Sequence, residues 1–152
     1  MKVDYGQFTT IITNLSVIAG IVFLGFELRQ NSESERLQAA QSYANISHEL
    51  DFRIVGDPTL VALFNTPAEN RSPEQAFRLD RWYYGVFRTW ENGFYLHSRG
   101  VLDDELWSGT VALIQDLITS SADFRTHFEA NREYLSVAFV QFLDELIIEG
   151  SD

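Results

Sequence analysis

Tyr84, Arg88, Glu91 and Tyr95 recur at steps of four, three and four residues, so on a helix they share one face, with His97 in the next turn. Arg88 and Glu91 can pair across i, i+3. Enclosed among aromatic rings, such a pair would have perturbed protonation and could orient a polar ligand, which makes these five residues a candidate pocket for a small-molecule sensor or enzyme. The same segment carries Phe77, Trp82, Tyr83, Phe87, Trp90 and Phe94. Leu79, Tyr83, Val86, Trp90, Phe94 and His97 make a second stripe at helical spacing, for which packing is a sufficient explanation.

Other chemistries lack their spacing. A di-metal carboxylate bundle needs Glu-x-x-His pairs on separate helices, and none occurs. His48-Glu49 is followed by Leu50-Asp51-Phe52 rather than by the second histidine of a zincin. His48, His97 and His127 fall on different predicted helices, and Asp123 with His127 reads as a local i, i+4 hydrogen-bonded pair. Trp107-Ser108-Gly109 lies inside a predicted helix without the flanking glycines of a nucleophile elbow. No glycine loop can cradle phosphate, and the absence of cysteine removes thiolate zinc sites and thiol nucleophiles. No metal and no cofactor are therefore expected.

The elements that must position these residues are all helical, since no stretch alternates with period two. Ser72-Pro73-Glu74-Gln75 has the hydroxyl cap, the proline at the first position and the glutamine three residues on that start a helix, and Gly100 suits its left-handed end. Asp57-Pro58 starts a short helix before it. Asp103, Ser121 and Ser136 are the expected caps of the helices that follow. Upstream, Ala39, Tyr43, Ile46, Leu50 and Ile54 keep a helical period with no proline before Pro58, so one element from residue 8 to 55 would reach about 70 Å.

From Tyr5 to Phe26 there are 22 residues without charge or histidine, a length of about 33 Å as a helix, which matches the hydrocarbon core of a bilayer. A transmembrane helix is therefore expected within residues 1–28, continuing into a cytoplasmic bundle of four or five helices over residues 29–152. Lys2 lies on one side of the span and Arg29 and Arg36 on the other, which places the N-terminus outside. Thr9, Thr13, Ser16 and Gly20 share a face of small residues that would let a second helix approach closely in lipid.

Composition bounds the partners. The chain has 22 acidic and 11 basic side chains, a formal net charge of −11, and is 45% hydrophobic. That balance opposes nucleic-acid binding and permits a sizeable core. Three stretches add a resemblance: LGFELRQN (residues 24–31), WENGFYLHSRGVLDDELW (90–107) and FVQFLDELI (139–147). They resemble segments of a group of bacterial single-pass proteins that read LAVQIRQN, FENxFYxxxxGLLDEELW and FxxFVDELL. The resemblance implies an N-terminal anchor in the bacterial inner membrane, an α-helical body and no particular activity. The expectation is thus an all-α, membrane-anchored, non-enzymatic scaffold or subunit that contacts lipid and associates with itself or with another membrane protein. The alternative is a sensor or enzyme with its pocket on helix 73–99.

Overall fold

The computed structural model describes residues 5–150, with side chains described for 14–148. It is all-helical, and the described residues form no strand. Six α-helices follow one another: α1 Tyr5–Gly56, α2 Pro58–Phe64, α3 Pro73–Ser98, α4 Asp104–Ser120, α5 Ala122–Asn131 and α6 Val137–Glu149. The chain divides into two units, Met1–Gln38 and Ala39–Asp152, so α1 contributes its first part to one and its remainder to the other.

The helix boundaries are set by local chemistry. Asp57 accepts from Thr59 N–H at 3.0 Å and Leu60 N–H at 3.2 Å, with Pro58 at the first position of α2. At α3, Ser72 Oγ accepts from Gln75 N–H while the Gln75 side chain accepts from Ser72 N–H at 2.8 Å, a closed capping box. Gly100 has φ 63°, and the turn closes when its N–H donates to His97 O and Val101 N–H donates to Leu96 O. These are the two bonds of a Schellman ending, a geometry that glycine adopts without strain. Asp103 caps α4 through Leu106 N–H at 2.8 Å. Ser121 ends α4 through its N–H and starts α5 through its hydroxyl, which accepts from Phe124 N–H at 3.1 Å.

Within residues 39–152 the core gathers on α3, α4, α5 and α6. Phe87, Phe124, Phe128 and Phe139 are fully buried with Leu79, Ile114, Ile118 and Leu143. A second cluster joins Tyr43, Leu102 and Trp107, and Phe94 lies 6.3 Å from Trp107 between ring centroids. The corner from α3 to α4 is therefore packed around Trp107.

Residues 5–38 differ from the expectation. Among the described residues, no helix is long and apolar enough to cross a membrane. This finding overturns the placement as a single-pass inner-membrane protein with its N-terminus outside and its C-terminal domain in the cytoplasm. The side chains of Thr9 and Thr13 lie outside the described residues; Ser16 and Gly20 are on α1, where a Cβ added to Gly20 would meet no atom within 4 Å.

Candidate ligand cavity

Residues 39–152 enclose a cavity of about 490 Å³ between the end of α1, α2, α3, α4 and the start of α5. Helical periodicity builds each wall. On α1, Tyr43, Ser47, Leu50 and Ile54 follow at steps of four, three and four and line it together with Asp51. Ile46, which has the same periodic credentials, is exposed instead. On α3 the lining residues are Trp82, Tyr83, Val86, Thr89 and Trp90, and on α4 they are Thr110, Leu113 and Leu117. Phe64 and Phe124 complete an aromatic surround: Phe64 meets Trp82 edge-on at 4.8 Å, and Trp90 lies 5.6 Å from Phe124.

Most polar groups of the lining are engaged with the protein. Tyr43 Oη and Thr110 Oγ1 are 3.4 Å apart, joining α1 to α4. Ser47 Oγ donates to Tyr43 O at 3.0 Å, and Thr89 Oγ1 donates to Gly85 O at 3.0 Å. Tyr43 also fixes the approach of α1 to α3, because a Cβ at Gly93 would fall 2.5 Å from its Oη. At the α5 end, Asp123 forms an ion pair with Arg71, whose side chain is only 6% exposed. Burial pushes the Tyr83 phenol above its ordinary pKa, with Asp123 adding to the effect and a hydrogen bond with Ser121 opposing it. Asp51 is the exception: exposed at the rim, it has no ion-pair or hydrogen-bond partner among the described residues. The Trp82 indole N–H is buried and also lacks a hydrogen-bond partner.

The five residues expected to form a pocket are divided. Arg88, Glu91 and Tyr95 line a separate surface groove with Asn92, Arg99 and Ser136, whereas Tyr84 and His97 lie outside its lining. Arg88 and Glu91 do form the i, i+3 ion pair. The other oxygen of Glu91 accepts from Ser136 N–H at 2.6 Å, so this buried carboxylate stands at the start of α6, where the helix dipole favours negative charge. Ser136 makes no side-chain cap of its own, contrary to the expectation for that residue. Tyr84 meets Tyr134 edge-on and lies under the Arg81 guanidinium at 5.0 Å. His97 stacks on Trp107 and reaches Asp104 at 2.9 Å.

His127 is likewise redirected. Asp123 belongs to Arg71, and His127 Nδ1 lies 3.4 Å from Asp80 while its ring stacks on Tyr83 at 4.5 Å. Asn131 Nδ2 donates to the same Asp80 oxygen at 3.1 Å, and Arg81 donates to the other at 2.7 Å. Burial alone would raise the Asp80 pKa, but the bonds from Arg81, Asn131 and His127 reverse this and hold it below the usual carboxylate value. Among the described residues, no three histidine or carboxylate side chains are grouped to hold a metal. Comparison with protein-family models, with curated proteins and with solved structures finds no match.

Proposed function

We propose that residues 39–152 act as a binding module for a small, largely apolar molecule held between α1, α3 and α4. The observation that carries this reading is the aromatic-walled cavity of about 490 Å³, a size within the roughly 300–1,000 Å³ of ligand sites. Binding is favoured over catalysis because the lining hydroxyls of Tyr43, Ser47, Thr89 and Ser121 are each engaged in a hydrogen bond within the protein. Titration with the neutral apolar dye N-phenylnaphthylamine tests it. Saturable fluorescence enhancement is expected for the full chain, and Leu113→Trp, which fills the half-exposed α4 side of the cavity, should abolish it without changing the helical circular dichroism. A linear, unsaturable response in the parent protein overturns the reading.

A second reading, association of two copies through residues 14–28, is favoured by a separate observation. Nine large apolar side chains from Leu15 to Leu28 are 52% to 70% exposed. One partner helix meets about half of that surface, on the order of 500 Å² per copy, against the roughly 800 Å² that each partner contributes to a standard interface. A second copy brings an identical apolar segment, which is the chemistry needed to cover the first. Sedimentation of the full chain should show a concentration-dependent dimer, and a strict monomer at all concentrations overturns this reading.

A further inference from the structure

We infer that the molecule taken up by the cavity is an organic cation, an ammonium group on an apolar or aryl body, with its charge beside Asp51. The inference rests on the binding reading above and names its ligand class. Three observations converge. Asp51 lines the cavity with no partner among the described residues; the nearby base on its own helix, Arg53, is held by Glu49 at 2.7 Å. Asp123, the other carboxylate of the lining, is paired with Arg71, and that ion pair leaves no surplus positive charge to attract an anion. The rings of Trp82, Tyr83 and Trp90 line the same cavity. Their negative faces attract a cation and repel an anion. A formal net charge of −11 biases the whole molecule the same way.

The test holds the body constant and changes the head: phenylbutylamine, phenylbutanol and phenylbutanoate are titrated calorimetrically into the full chain near neutral pH. The amine should bind about tenfold more tightly than the alcohol, with the acid weakest. Asp51→Asn should bring the amine down to the alcohol while leaving the alcohol's affinity unchanged, and Asp51→Lys should move the acid ahead of the amine. Because Asp51 is exposed and unpaired, both variants should retain the parent's thermal unfolding curve. If the alcohol binds and the amine gains nothing over it, or if Asp51→Asn leaves the amine's advantage intact, the cation assignment is overturned alone. If none of the three binds, the cavity reading itself falls with it.

Discussion

Phe23 and Phe87 are the same side chain in opposite settings. Phe23 on α1 is 62% exposed, while Phe87 on α3 is 0% exposed and lies within 6.2 Å, between ring centroids, of Tyr83, Trp90, Phe124 and Phe128. The contrast extends to their surroundings. Around Phe87, apolar residues recur at helical spacing and leave a polar face for water, so neighbouring helices can bury them. From Leu15 to Leu28 they point in every direction, and burying such a helix requires neighbours on all sides. In one region apolar surface holds the fold together; in the other it remains open to a second molecule.

The largest effect should follow from emptying the buried side of this comparison. Phe87→Ala removes a ring from the centre of five packed aromatics, and the loss of transfer free energy plus the cavity left behind should cost about 3–5 kcal/mol. Urea unfolding followed by circular dichroism measures it. A loss below about 1 kcal/mol would mean that the aromatic cluster is not the core of residues 39–152.

A smaller loss is expected where α1 meets α3. Gly93→Ala puts a methyl group 2.5 Å from Tyr43 Oη, so the Tyr43 ring must swing away and give up its contact with Thr110. Overpacking of this kind costs about 1–3 kcal/mol. The loss caused by Gly93→Ala should shrink in a Tyr43→Ala background, because the Oη, Cζ and Cε2 atoms that the methyl meets at 2.5, 2.6 and 2.7 Å are gone. An undiminished loss would show that the backbone, not the phenol, sets the helix approach.

Next comes the Asp80 cluster. Asp80→Asn weakens bonds from Arg81, Asn131 and His127 and should cost about 1–2 kcal/mol near neutral pH. The sign of its pH dependence follows from the depressed folded-state pKa. The ionised carboxylate contributes fully above the unfolded value of about 3.9, and the contribution disappears as pH falls through the lower folded value. Below about pH 5 the stability difference between parent and variant should therefore shrink as the acid strengthens. A difference that widens on acidification would contradict the assignment.

The parts of this fold that were legible in the sequence are those decided within a few residues. Asp57-Pro58, Ser72 with Gln75, Gly100 and Asp103 mark helix ends because a cap needs only its own next turn. Choices between partners distant in sequence were not legible. His127 had Asp123 four residues away, yet Arg71 takes Asp123 and Asp80 reaches His127 from across the core. On α3, the polar residues at 84, 88, 91 and 95 suggested the site, whereas the cavity opens beside Trp82, Tyr83 and Thr89, since α1 and α4 approach that side. Glu91 was recognisable as a partner for Arg88; that it also holds the start of α6 depends on a contact 45 residues away.

The smallest effect on folding is expected on the open side of the comparison. Phe23→Ala removes as many atoms as Phe87→Ala, but a ring that is 62% exposed leaves little cavity when truncated, so unfolding free energy at low protein concentration should change by less than about 0.5 kcal/mol. If a second copy covers residues 14–28, the same substitution should weaken the dimer severalfold by sedimentation, and Phe23→Arg should weaken it further by leaving a charge in an apolar contact. Stability and association would then respond to different phenylalanines. A Phe23 variant that loses several kcal/mol of unfolding free energy while remaining monomeric throughout would erase that separation, because the ring would have to be covered within a single chain.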